Sequence, residues 1–119
     1  MKTTNSLEVL AEAIAVLRNV RQRPEMYFCP ITPEAVGQWL YGFQVGLGVA
    51  GVDRSVEALQ IACERRGVTL YATTDLIAEL KKQGRSEHDV AMTLIDIDEE
   101  MWQARMSVAA EPAAGSDGG

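Results

Sequence analysis

Chemically reactive side chains are scarce in this sequence. Among 119 residues there is one histidine, there are two cysteines, and aromatic residues make up 6%. His88 has no second histidine or nearby cysteine in sequence, whereas a zinc-type site needs several N, S or O ligands converging. Neither a metal nor a cofactor is expected. Cys29 and Cys63 stand 34 positions apart, and without a close pair they read as two buried thiols of a reducing compartment rather than a disulfide. Long apolar runs are missing as well, none approaching the ~18 to 20 residues that span a bilayer. Glu8 and Glu12 interrupt the uncharged stretch that a signal peptide needs. The expectation is a cytoplasmic protein without a membrane segment.

Positive charge is nearly absent from the last third. Residues 1–85 carry ten Lys/Arg against nine Asp/Glu, whereas residues 86–119 carry one Arg against eight acids, so the whole excess behind the net charge of −6 lies there. Such a region does not grip a nucleic-acid backbone or an anionic membrane. A basic partner surface is its natural counterpart. What is present is an aliphatic protein, 47% hydrophobic, of a length that suits one domain with one core.

Helical periodicity dominates. Asn5 and Glu8 have capping-box spacing, and Leu7, Leu10, Ile14 and Leu17 then recur on one face to about Gln22. Pro24 stops this helix and biases Arg23 away from helical angles. Residues 26–29 read as extended. Thr32-Pro33 opens a second helix, with Val36, Trp39, Leu40, Phe43 and Leu47 as its stripe. Gly42 and Gly46 lie beside that stripe as a flat strip where another backbone can come close, and the helix ends near Gly48 or Gly51. Asp53 is the expected cap of a third helix through Cys63, closed by Gly67. Residues 68–71 are short and β-prone. Thr73 or Thr74 opens a fourth helix that ends at Gly84, and Ser86 with Asp89 caps the last, Glu87 to about Val108. The reading is a mainly α fold, a compact bundle of about five helices, with 26–29 and 68–71 available for one short two-stranded pairing. Residues 1–109 make a single helical domain and 110–119 a disordered tail of small and polar residues.

Several motifs invite a functional reading. Gly46-Leu47-Gly48-Val49-Ala50-Gly51 satisfies G-x-G-x-x-G, but that fingerprint works only between a strand and a helix N-terminus. The residues before it have a helical pattern, so it reads as a closely packed helix end. His88, beside Glu87 and Asp89, reads as an exposed residue at a helix start. Asp89, Asp96, Glu99 and Glu100 share one face of the last helix, opposite Val90, Leu94, Ile97 and Met101. That face is either simply solvated or an acidic docking stripe. Asp98 falls instead among the apolar positions, as Arg21 does in the first helix. Charges on core faces must be paired, and the expected partner of Asp98 is Arg21.

The segment Val20-Arg21-Gln22-Arg23-Pro24-Glu25-Met26-Tyr27-Phe28 resembles one near the start of the ATPase domain of type IIA topoisomerase B subunits such as DNA gyrase B. In that family the next helix carries a Glu, an Asn and an Asp that activate water and hold Mg-ATP. Residues 35–52 here contain none of these three types, so the resemblance does not imply ATP hydrolysis. The same RP-x-MY segment, with the ending that starts at Gly84-Arg-Ser-Glu-His-Asp-Val, is similar to small stand-alone bacterial proteins of unassigned role. Some of those sit in toxin–immunity or mobile-element settings.

These features predict a non-enzymatic protein-binding module of the immunity, antitoxin or inhibitor kind. Its acidic last helix would meet a basic partner through Asp89, Asp96, Glu99 and Glu100, with Arg21, Arg23 and Tyr27 as further contacts. The alternative is an accessory or oligomeric subunit docking through Trp39, Gly42 and Gly46. A third possibility is an enzyme around His88 or a nucleotide binder at Gly46 to Gly51.

Overall fold

A computed structural model describes residues 6–71 and 74–110. They form a mainly α bundle of five helices: α1 (Ser6–Gln22), α2 (Pro33–Val49), α3 (Val56–Glu64), α4 (Leu76–Lys82) and α5 (Glu87–Ala110). A 3-10 turn, Pro24–Met26, joins α1 to α2. The expected cap Asn5, the alternative cap Thr73 and the tail beyond Ala110 lie outside the described residues.

Side-chain caps fix where most helices begin. Thr32 Oγ1 accepts from the Ala35 N–H at 3.1 Å, and Ser86 Oγ from the Asp89 N–H at 3.0 Å, as the sequence suggests. The other two starts differ from expectation. α3 is capped by Ser55, whose Oγ accepts from the Ala58 N–H at 3.1 Å, rather than by Asp53. α4 is capped by Asp75, which accepts from the Ala78 N–H at 3.2 Å, while Thr74 Oγ1 accepts from the Tyr71 N–H at 2.7 Å in the preceding loop. A cap must stand immediately before the first helical residue to reach the exposed N–H groups. Asp53 and Thr74 each stand too early. At the other end of α3, Gly67 takes a φ of +80° that other residues rarely adopt, and the Val68 N–H turns back to the Cys63 carbonyl at 3.1 Å.

The suggested pairing of 26–29 with 68–71 does not form, and no strand occurs among the described residues. Pro24 ends α1 yet has the locked φ that opens a tight helical turn. The Tyr27 and Phe28 N–H groups both donate to its carbonyl, at 3.0 and 2.9 Å. The chain curls where an extended run was expected.

α5 is the axis of the molecule. α1, α2, α3 and α4 all pack on it, and every helix–helix packing of any extent runs through it. Val90 to Ile95 are six consecutive buried residues, which a helix shows only when it is covered on several sides. Around it lie Leu10, Leu17 and Val20 of α1, Val36 and Leu40 of α2, Cys63 of α3 and Leu80 of α4. Trp102 is fully buried among them. Cys63 is buried, as expected, and burial pushes its thiol pKa up. Cys29 is exposed, against expectation, because the turn that begins at Pro24 leaves it on the surface.

Candidate functional site

The acids of α5 lie where its neighbours carry arginines. From α1, Arg18 Nε donates to Glu99 Oε2 and Arg21 Nε to Asp96 Oδ1, each at 2.9 Å. From the end of α3, Arg66 holds Glu100 through two nitrogens, and Arg65 Nη1 stands 3.6 Å from the same carboxylate. Arg85 Nη1 donates to Asp89 Oδ2 at 3.0 Å. The hydrogen bonds of Arg66 keep the Glu100 carboxyl below its usual range despite partial burial. That of Asp96 raises the Arg21 guanidinium. The face read as either solvated or a docking stripe thus carries ion pairs to neighbouring parts of the chain. Asp96, Glu99 and Glu100 are half-buried, because α5 runs through the centre of the bundle and has no wholly solvated side along this stretch.

Nor does the predicted Arg21–Asp98 pair exist. Two residues apart on a helix, Asp96 and Asp98 point about 200° apart. α1 reaches the first, and α2 the second. Asp98 is only 3% exposed, and it accepts hydrogen bonds from Gln44 Nε2 of α2 and from Trp102 Nε1, the latter at 2.9 Å. Burial pushes its carboxyl up to about 6, against the pull of those two bonds and of the Arg54 charge. Asp98 lines a cleft of about 330 Å³ with Leu40, Gln44, Arg54, Leu59 and Ile77. Arg54 has no ion pair among the described residues.

The RP-x-MY segment is fastened to α2 by aromatic contacts. The Trp39 ring meets Tyr27 and Phe28 edge-on, with centroids 6.2 and 6.1 Å away, and stacks on Phe43 at 5.1 Å. Pro24 is buried and Arg23 exposed; Tyr27 is 45% and Met26 69% exposed. Beyond Trp39, the outward side of α2 presents Tyr41, Val45 and Val49, and that of Val49 is 85% exposed. A Cβ added to Gly42 or Gly46 would meet nothing within 4 Å, so the strip between these side chains is open. No Lys, Arg, Asp or Glu occurs from residue 35 through 52. The helix itself carries no charge there, while Asp53 and Arg54 border its outward side beside Tyr41 and Val45.

His88 is exposed in the first turn of α5. Gly46 and Gly48 lie inside α2, and only Gly51, with φ +94°, has left-handed backbone. No strand leads into them, so a phosphate cradle is not formed. Among the described residues no three His, Cys, Asp or Glu side chains converge as a metal site. Nor is any of their helices long and apolar enough to cross a membrane. The sequence singled out neither Gln44 nor Trp102, the partners of Asp98, nor Arg18, Arg65 and Arg66. Trp102 had a signal, since it follows Asp98 at the i,i+4 spacing that places two side chains side by side. Comparison with protein families, curated proteins and solved structures finds no match.

Proposed function

We propose that this chain is a non-enzymatic protein-association module, docking through the outward side of α2 onto a second copy of itself. The observation that carries the reading is the uncharged, exposed side of α2, set against an α5 stripe whose acids all have internal partners. In a two-fold contact the same patch meets itself, so every charge on it tends to meet its like. A chain of net charge −6 repels its copy over much of its surface, but not along residues 35–52. Gly42 and Gly46, one turn apart, let two helix axes approach closely. Val45 and Val49 supply a ridge for the facing groove, and Trp39 and Phe43 its wall. A basic partner on α5 would first have to displace Arg18, Arg21, Arg65 and Arg66, exchanging one set of partly solvated ion pairs for another at little gain.

Light scattering at high micromolar concentration tests the reading. The wild-type chain is expected at twice its monomer mass of 13.0 kDa. The double variant Val45→Glu, Val49→Glu is expected to be monomeric with unchanged helical circular dichroism. A monomeric wild type would overturn the assignment, as would a dimer that survives both substitutions.

A further inference from the structure

We infer that the cleft between α2, α4 and α5 is a binding site for a small primary amine with an apolar body. Its walls are hydrocarbon, from Leu40, Leu59, Leu76, Ile77, Leu94 and Ile97. Tyr41, Gln44, Arg54, Thr74 and Asp75 add polar groups to its lining. Asp98 is the one that combines near-complete burial with the lack of an ion-pair partner among the described residues. A carboxylate offers about four acceptor positions, and Gln44 and Trp102 each take one. Acceptor capacity therefore remains on a group that lines the cleft.

The charge decides the ligand class. Asp98 is ionised at neutral pH, its carboxyl lying at about 6, and a buried anion gains most from a desolvated, hydrogen-bonded cation. Arg54, on the cleft wall, does not fill that role: it is exposed and donates no hydrogen bond to Asp98. Among cations, an ammonium is a compact charge that can use one free lone pair, whereas a guanidinium is a planar fork that takes both carboxylate oxygens, each of which already accepts from Gln44 or Trp102. Size sets the body of the ligand. At water's share of roughly 30 Å³ per molecule, 330 Å³ holds an ammonium with a short chain or a single ring. The cleft shares Tyr41 with the outward side of α2 but not Val45 or Val49, so the Val45→Glu, Val49→Glu variant tests the association face without altering the cleft lining.

The Trp102 indole N–H donates directly to Asp98 Oδ2 and reports on the site by NMR, with Trp39 as the other indole in the chain. The full-length ¹⁵N-labelled protein is titrated at neutral pH with 2-phenylethylamine, 2-phenylethanol and 3-phenylpropionate, three probes with like bodies and different charge. The amine is expected to shift the Trp102 indole resonance saturably. The alcohol and the acid should bind about tenfold more weakly or less, the measure of losing a charged hydrogen bond. Asp98→Asn should weaken the amine by a similar factor while leaving the Trp39 indole in place. Equal affinity for amine and alcohol overturns the inference, and so does the absence of any Trp102 shift. An amine affinity unchanged in Asp98→Asn does the same. If that variant does not fold, the three-probe comparison on the wild type decides alone.

Discussion

At Asp98 the protein holds a charge where the surrounding pattern calls for hydrocarbon. The carboxyl titrates near its ordinary 3.8 in the unfolded chain and at about 6 in the fold, chiefly through burial. The folded state therefore binds this proton more tightly, so the contribution of Asp98 to stability falls as pH rises from about 4 to 6 and is level above. The gap corresponds to about 3 kcal/mol. Glu100, held low by Arg66, works in the opposite sense, stabilising above its unfolded pKa and losing this as pH falls further. Asp98→Asn removes the buried charge, and its amide can still accept from Trp102 while Gln44 turns its own carbonyl inward. Urea unfolding at neutral pH is expected to show this variant about 1 to 3 kcal/mol more stable than wild type. The slope between pH 4.5 and 6 should flatten with it. A variant that is less stable and retains the slope would mean that the hydrogen bonds outweigh the cost of burial.

Among the elements, α3 gives the cleanest test of what fixes a helix start. Ser55→Ala should cost about 1 kcal/mol, the usual worth of a cap, whereas Asp53→Ala should leave α3 stability unchanged within about 0.5 kcal/mol. Both are readable as shifts of the urea midpoint; a larger loss at Asp53 would return the cap to the earlier residue. The sequence already showed the five helices, through apolar spacing and through Pro24, Thr32, Gly67, Gly84 and Ser86. It could not show that α5 is central. A helical wheel of α5 alone has an acidic side that looks solvated, and only the arginines of α1 and of the end of α3 reveal that side as covered. The same limit applies at Asp98: its position among apolar residues called for a partner, but whether α1 or α2 supplied it depended on which side of α5 each helix packs. Residues 26–29 misled for a local reason, since Pro24 starts a turn as readily as it ends a helix.

Across the whole molecule, charge works inward. Arginines from α1 and from the end of α3 close on carboxylates of the central helix, so charges separated along the sequence are brought together by the fold. Arg85, just before α5, adds a local pair with Asp89. Arg18→Glu with Arg21→Glu removes two pairs and sets two like charges against Glu99 and Asp96. It should cost about 1 to 3 kcal/mol in a urea titration, an amount reduced in molar salt. Arg23→Glu, at an exposed residue with no ion pair among those described, should stay within about 0.5 kcal/mol. Equal losses in the two variants would show that these ion pairs contribute nothing.

The central place of α5 also sets a timetable. A ribosome delivers α1, α2, α3 and α4 before the helix on which they all pack. Until α5 emerges, Leu10, Leu17, Val36 and Leu80 have no common surface to close on, and a nascent chain paused near Gly84 is a string of amphipathic segments. Acquisition of the native state is thus deferred to the end of synthesis of this domain, when one helix supplies the contacts for all the others at once.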